Sequence, residues 1–302
     1  MLDQIMVPAP AKINLHLAVG NRRPDGFHAI ASIFQAISLH DSISVALSSA
    51  GDVELSGECG CPAEQNTAWR AASLFLAAAT EAGLASAPGI RVTIDKKIPM
   101  GAGLGGGSSD AASTLAALSL LLPGFVDRQT LFGIAAATGS DVPFFMDSAC
   151  AAVTGRGEIL EALPSRTDYA LVLANPGFSV STKEAYGRLD AARHDRPSPW
   201  ASDQNLAEDL RLAIASYSHE RPASWRFRND FYSVLVPGLP GLEQCRQALL
   251  SAGADFAAMS GSGSSVFGVF ASPAEADRAA AALADRYSCI VALPLAKLLN
   301  ST

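Results

Sequence analysis

The sequence has few charged residues and no long apolar run. Charged residues make up only 17 % of the 302 residues, but hydrophobic residues reach 49 % and no low-complexity tract occurs, so the composition excludes a mainly disordered chain. The apolar stretches, such as 115–122, are far shorter than the ~18–20 residues of a membrane-spanning helix. No basic segment precedes an apolar one at the N-terminus, so we expect neither a signal peptide nor a membrane partner.

Cysteines are few, and basic residues are fewer than acidic ones. The five cysteines are scattered apart from Cys59 and Cys61, whereas disulfide frameworks are even-numbered and denser, so we expect reduced thiols and a cytoplasmic protein. Cys59 and Cys61 lack the second Cys or His pair of a zinc site, which favours a loop or core role. The net charge of −7 argues against a nucleic-acid partner, but a small phosphorylated ligand needs only a local cluster of donors.

The order of predicted elements indicates an α+β protein. Helices and strands are mixed without the regular alternation of a doubly wound parallel sheet. We expect two domains, 1–164 and 165–302, and a mobile polar excursion at 190–204. Strands are predicted over 12–17, 43–47, 90–98, 150–154, 158–163, 169–174, 256–259, 266–270 and 289–293. Helices are predicted over 67–82, 108–122, 127–139, 242–252 and 273–287, with one more near 230.

The strongest local signal is a glycine-rich segment between a predicted strand and a predicted helix. Five of the seven residues 101–107 are glycine, and such a run costs backbone entropy. Glycines let backbone N–H groups face a large anion, and a helix N-terminus adds free N–H groups and a positive dipole end. The alternative is a plain tight turn. The predicted phosphate-binding residues are Pro99, Met100, Gly101, Ala102, Gly103, Leu104, Gly105, Gly106, Gly107, Ser108 and Ser109.

Three better-known phosphate loops fit this segment poorly. A dinucleotide site requires an acidic residue about 20 positions on, after a second strand, but Asp127 lies between two predicted helices. A Walker loop has lysine after its last glycine, where Ser108 stands here. A protein-kinase loop is accompanied by His-Arg-Asp and Asp-Phe-Gly, and neither tripeptide occurs.

Three segments together resemble the motifs of the GHMP small-molecule kinases. They are residues 8–15, 99–109 and 260–267, and they have the order and spacing of that family. Further segments resemble the branch of the family whose acceptor is a cytidine-diphosphate-linked methylerythritol. They are Arg-Pro-Asp-Gly-Phe-His at 23–28, Gly-Ser-Asp-Val-Pro-Phe-Phe at 139–145 and Asn-Pro-Gly at 175–177.

The resemblance, which spans residues 8 to about 270, implies both a fold and a reaction. The fold would be the two-domain GHMP kinase fold, with an N-terminal ribosomal-protein-S5-like domain, a C-terminal ferredoxin-like α/β domain and the active site in the cleft between them. The reaction would be ATP-dependent phosphorylation of the acceptor's 2-hydroxyl in the non-mevalonate isoprenoid pathway. ATP and Mg²⁺ are implied, no set of metal ligands is evident, and we expect a monomer or weak homodimer.

The family's catalytic lysine and aspartate fall on Lys12 and Asp141. A hydroxyl acceptor must lose a proton as it attacks the γ-phosphoryl group, and a fixed carboxylate can take it. An adjacent cation keeps that carboxylate ionised and stabilises the attacking oxygen. Taken alone, Lys12 would be a solvated strand residue and Asp141 the cap of a turn. Asp110, in the predicted first turn after the glycine segment, is expected to have a structural role, whereas Ser108 and Ser109 could contact phosphate or Mg²⁺.

The resemblance also predicts an acceptor site. The family's aromatic–histidine pair falls on Phe27 and His28, and a second ring falls on Tyr186, four residues after Thr182. Cytosine would lie between the rings of Phe27 and Tyr186 with His28 at its edge, and Asn14 and Thr182 complete the predicted acceptor residues. Without the resemblance, Phe27 would be ordinary core packing and His28 a satisfied buried imidazole.

Two alternative functions remain open on the sequence. One is a GHMP kinase for homoserine, mevalonate or a sugar, which the absence of a cytidine clamp would favour. The other is a nucleotide-binding regulator without catalysis, against which the presence of Lys12 and Asp141 argues.

Overall fold

The computed structural model describes residues 3–49, 51–57, 59–85, 87–194 and 201–299. Within these ranges the chain forms two β-sheets with helices packed against them, and no helix there is long and apolar enough to cross a membrane. The strands are β1 Gln4–Arg22, β2 His28–Ser48, β3 Val53–Gly57, β4 Gly89–Asp95, β5 Cys150–Thr154, β6 Ile159–Ala162, β7 Ala170–Asn175, β8 Phe256–Met259, β9 Val266–Phe270 and β10 Ser288–Ala292. The helices are α1 Thr67–Glu81, α2 Gly106–Leu121, α3 Arg128–Thr138, α4 Phe144–Asp147, α5 Thr182–His194, α6 Asp203–His219, α7 Asp230–Leu235, α8 Gly241–Ser251 and α9 Pro273–Leu283.

The first sheet has the order β3-β4-β2-β5-β6, and β1 pairs with β2. Only β3 and β4 are parallel. Helix α2 packs on β1 and β2, and α1 and α3 pack against α2, which therefore lies deep in the core. Alanines such as Ala111 and Ala112 are fully buried on α2 and allow this close packing.

The second sheet is antiparallel with the order β10-β7-β9-β8, and α8 and α9 pack against it. Helix α6 packs instead on β1 and β2 of the first sheet. An apolar cluster that includes Leu15, Tyr217, Trp225 and Phe267 connects the two sheets. The α+β class and the two-sheet arrangement agree with the expected GHMP fold.

Strand β1 is much longer than the predicted segment 12–17, because its irregular register accommodates two prolines. Its pairing with β2 shifts between Pro10 and Ala11 and again further along. The other edge of β1 meets loops rather than a strand: Lys12 N–H donates to the carbonyl of Leu104 at 2.9 Å. An edge strand tolerates proline, which is depleted inside sheets. This irregular edge receives the glycine-rich segment.

Several local predictions are confirmed. The side chain of Asn66 accepts a hydrogen bond from Ala68 N–H and caps α1, and Asp127 does the same for α3 through Thr130 N–H. Strands β5 and β6 form the predicted hairpin. The predicted strand 90–98 ends early, at Asp95, because the backbone N–H groups of Lys97 and Ile98 donate to the carboxylate of Asp41 rather than to a neighbouring strand.

Two helix predictions and one loop prediction need correction. Helix α2 begins at Gly106 rather than Ser108, because the left-handed conformation of Gly105 ends the loop there. The last helix ends at Leu283, short of the predicted 287. The predicted excursion 190–204 is wrong at both ends, since 190–194 belong to α5 and 203–204 to α6, while 195–200 lie outside the described residues. The side chains that α6 buries, Leu206, Leu210, Ala213 and Tyr217, are spaced four, three and four residues apart, a helical signal that the sequence contained.

Candidate active site

A cleft of about 700 Å³ lies where the three sequence motifs meet. Of the predicted phosphate-binding residues, all except Ser109 line it, as do Lys12, Asn14, Phe27, Asp141, Thr182 and Tyr186. Ser109 is fully buried inside α2 and does not line the cleft, so the structure does not bring it together with the other predicted phosphate-binding residues. His28 is buried beside the cleft rather than lining it.

The glycine-rich loop has the backbone conformation that glycine alone adopts readily. Gly101, Gly103 and Gly105 have φ values of +65°, +77° and +71°. After Gly105 the chain enters α2, so the unpaired N–H groups of the first helical turn lie at the cleft. This loop and helix N-terminus form an anion-binding arrangement.

The three motifs are connected by hydrogen bonds. The hydroxyl of Ser260 donates to the carbonyl of Gly103 at 2.9 Å and accepts from Asn14 N–H at 3.2 Å. A Cβ on Gly103 would lie 2.2 Å from the carbonyl oxygen of Ser260. The third motif therefore supports the loop from behind, and position 103 has no space for a side chain.

Lys12 and Asp141 are brought together, as predicted. The Lys12 Nζ lies 3.3 Å from Asp141 Oδ2, donates to Asn14 Oδ1 at 2.6 Å and lies 4.1 Å from the centroid of the Phe34 ring. Lys12 is buried and therefore not a solvated strand residue, whereas the Asp141 side chain is 30 % exposed at the cleft. The pair presents an accessible carboxylate with a fixed cation behind it, which suits proton transfer from a hydroxyl group.

A second charged cluster, which sequence reasoning missed, forms the wall of the cleft at the start of α2. Lys96 Nζ donates to Asp41 at 2.5 Å and to Asp110 at 2.9 Å. Burial raises the pKa of Asp110 to about 7, against the opposing effect of Lys96. Although burial opposes its charge, the two carboxylates raise the pKa of Lys96. Asp110 lies in the second turn of α2, not in the predicted first turn, and it lines the cleft; its ion pair with Lys96 fits the structural role expected for it.

The acceptor side differs from the predicted aromatic sandwich. Tyr186 stacks on His28, with ring centroids 4.8 Å apart and 24° between the planes. His28 Nε2 contacts Asp190 Oδ1 at 2.7 Å. Phe27 is 54 % exposed rather than core, and the guanidinium of Arg156 lies 4.9 Å from the centroid of its ring. Burial raises the pKa of Tyr186 to about 12, with smaller contributions from Asp141 and Asp190.

Comparison with known proteins defines the class of this fold and site. The model of the GHMP kinases N terminal domain matches residues 66–155, and that of the GHMP kinases C terminal region matches residues 219–289. A homoserine kinase from Cytophaga hutchinsonii has the same fold, with a TM-score of 0.67 at 21 % identity over 99 % of this chain and 97 % of that chain. The chain is a GHMP kinase, an ATP-dependent small-molecule kinase.

More similar proteins narrow the class to one family. A protein of Desulfotalea psychrophila named 4-diphosphocytidyl-2-C-methyl-D-erythritol kinase is 38 % identical to this chain, over 87 % of this chain and 84 % of the relative. A protein of the same name in Citrifermentans bemidjiense is also 38 % identical, over 94 % of this chain and 95 % of the relative. A crystal structure of 4-(cytidine 5'-diphospho)-2C-methyl-D-erythritol kinase has a TM-score of 0.77 at 33 % identity, covering 96 % of this chain and 99 % of that one. The chain belongs to the 4-diphosphocytidyl-2-C-methyl-D-erythritol kinase family.

Proposed function

We propose that this protein transfers the γ-phosphoryl group of ATP to the 2-hydroxyl of 4-diphosphocytidyl-2-C-methyl-D-erythritol, in the non-mevalonate isoprenoid pathway. The observation that carries the proposal is the Lys12–Asp141 pair, 3.3 Å apart, in the same cleft as the glycine-rich loop. The proposal includes a division of the chain into domains 1–164 and 165–302. It also includes a cytoplasmic location, consistent with five free cysteines, and a monomeric or weakly dimeric state.

Asp141 is the proposed general base. Its carboxylate takes the proton of the acceptor hydroxyl as the oxygen attacks phosphorus, and a positioned base contributes about 10²–10⁴-fold to the rate. The Lys12 ammonium, 3.3 Å from Asp141 Oδ2, stabilises the negative charge that develops on the attacking oxygen. The side-chain amide oxygen of Asn14 and the face of the Phe34 ring hold the Lys12 ammonium in place.

The backbone N–H groups of residues 101–108 are the proposed ligands of the ATP phosphates, because they combine free donors with the positive end of α2. Mg²⁺ would neutralise phosphate charge. The donor chemistry fits an ion held mainly by phosphates and water, since Ser108 offers a hydroxyl at the cleft and Asp110 is already engaged by Lys96. In the described part of the chain, no three His, Cys, Asp or Glu residues form a metal cluster.

Cytosine is proposed to bind near Tyr186, between that ring and Phe27. Both rings line the cleft, and Thr182 lies one helical turn before Tyr186 on α5. His28 covers one face of Tyr186 in this structure, so its ring must tilt away as the base enters. His28 then supplies a polar edge to the base.

A coupled assay of ADP release tests the proposed function. Wild-type protein is offered ATP with the diphosphocytidyl acceptor, homoserine or mevalonate in parallel, and Asp141→Asn serves as the inactive control. We expect turnover with the diphosphocytidyl acceptor alone. A preference for homoserine or mevalonate would overturn the acceptor assignment, and ADP release from none of them would favour a regulator without catalysis.

A further inference from the structure

The proposed acceptor carries a diphosphate between its reacting end and its cytidine end, and that diphosphate needs a cation. Among the described residues, the cationic side chains that line the cleft are Lys12, Lys96 and Arg156. Lys12 is held by Asp141, and Lys96 is held by two buried carboxylates. Of these three side chains, Arg156 is the one whose contacts are exposed, so that a ligand can replace them.

Arg156 is placed close to the reacting groups by a rigid turn. It lies in the turn of residues 155–158 between β5 and β6, and Ile30 N–H donates to the carbonyl of Gly155 at 2.8 Å. A Cβ on the next residue, Gly157, would lie 3.6 Å from Asp141 Oδ1. The turn therefore packs against the proposed base, and Arg156 extends from it into the cleft.

The guanidinium of Arg156 has weak partners in this structure. It lies over the Phe27 ring at 4.9 Å, and its Nε lies 3.7 Å from Glu158 Oε1, beyond ordinary hydrogen-bond distance. The Arg156 side chain is 41 % exposed, and exposed ion pairs contribute little. Arg156 and Arg23 also lower the pKa of Asp25, after the larger effect of Phe27 N–H. A diphosphate presents pairs of charged oxygens that match the planar guanidinium of Arg156. Glu158, at 3.7 Å, does not make such a paired contact.

We infer that Arg156 binds the diphosphate of the acceptor, between the Lys12–Asp141 pair and the Phe27 ring. This inference rests on the proposed function. The guanidinium would hold the phosphate oxygens while it remains stacked on Phe27. Arg156 thereby fixes the distance between the cytidine end and the hydroxyl that reacts at Asp141, a positioning effect.

Steady-state kinetics of Arg156→Gln test the assignment. We expect the KM of the acceptor to rise about 10- to 100-fold, as for loss of a charged hydrogen-bonding group, with the KM of ATP nearly unchanged. Arg156→Lys should recover part of the loss, because lysine restores the positive charge but not the paired N–H donors of the guanidinium. The matched control is Arg128→Gln, since Arg128 lies 4.8 Å over the Phe132 ring and 2.9 Å from Asp147, outside the cleft.

A binding measurement separates this inference from the proposed function. Cytidine and cytidine diphosphate are titrated calorimetrically into protein whose nucleotide site is saturated with a non-hydrolysable ATP analogue. We expect wild-type protein and Arg128→Gln to bind the diphosphate at least tenfold more tightly than cytidine, and Arg156→Gln to bind both about equally. An unchanged ratio in Arg156→Gln, or no preference in wild-type protein, would overturn the role of Arg156. Failure of wild-type protein to phosphorylate the acceptor would instead overturn the proposed function.

Discussion

The two carboxylates that contact the Lys96 ammonium make the stability of this protein depend on pH in a defined direction. Asp41 and Asp110 are both buried, and they share one ammonium group. Asp110 Oδ1 has no hydrogen-bond partner among the described residues. Burial raises the pKa of Asp110 from 3.8 to about 7. The cluster thus holds excess negative charge in the wall of the cleft that we propose to accept the phosphates of ATP.

Replacing Asp110 by Asn removes this charge and keeps the shape of the side chain. Because the pKa is higher in the folded state, the folded protein binds an additional proton between pH 4 and 7. The stabilising contribution of Asp110 is therefore complete below about pH 4 and is lost as the pH rises through about 7. The full displacement from 3.8 to about 7 is worth roughly 4 kcal/mol. That value already includes the favourable effect of Lys96, which keeps its contact with Asp41 in Asp110→Asn. Because Asn does not reproduce every contact of a protonated Asp, we expect a net gain of about 1–3 kcal/mol at pH 8.

Urea unfolding at pH 5, 6, 7 and 8 measures this effect. The free energy of unfolding of Asp110→Asn should exceed that of wild-type protein by an amount that grows with pH, and ATP should bind the variant more tightly at pH 8. Asp127→Asn is the control, because the Thr130 N–H lowers the pKa of this exposed cap and its effect should be constant from pH 5 to 8. A pH-independent difference for Asp110→Asn, or a loss of stability at pH 8, would refute the reasoning.

Three further predictions concern catalysis, the loop and the acceptor. Asp141→Asn should lower kcat about 10²–10⁴-fold with little change in the KM of ATP, and the double variant with Lys12→Met should have a kcat only slightly lower still. Activity of Asp141→Asn within a few fold of wild type would contradict the role of Asp141 as base. Gly103→Ala should lower the free energy of unfolding by at least about 2 kcal/mol in urea, because its Cβ would lie 2.2 Å from the carbonyl oxygen of Ser260. Gly133→Ala, inside α3 where a Cβ meets nothing within 4 Å, should cause no loss; equal stability of the two variants would contradict this. Tyr186→Ala should raise the KM of the acceptor about 5- to 150-fold in steady-state kinetics, because stacking of a nucleobase on an aromatic ring contributes roughly 1–3 kcal/mol. An effect on the KM of ATP alone would show that cytosine binds elsewhere.

Local signals in the sequence were sufficient to predict the helix caps and the glycine-rich loop. Asn66 and Asp127 cap the helices they were expected to cap, because a cap contacts N–H groups only two or three residues away. The run of glycines determined where the chain could turn with positive φ. The exact start of α2 was missed, since Gly105 ends the loop by its backbone conformation rather than by a capping side chain.

The sequence by itself determined the three motifs and their order, and the resemblance that these motifs carry is what predicted the Lys12–Asp141 pair, since neither residue taken alone indicates a catalytic role. Only the tertiary structure placed Lys96 between Asp41 and Asp110, which lie far apart in the chain. It likewise stacked Tyr186 on His28 and brought Arg156 over Phe27. Such contacts join residues whose local sequences carry no sign of each other, so they depend on how the strands and helices pack.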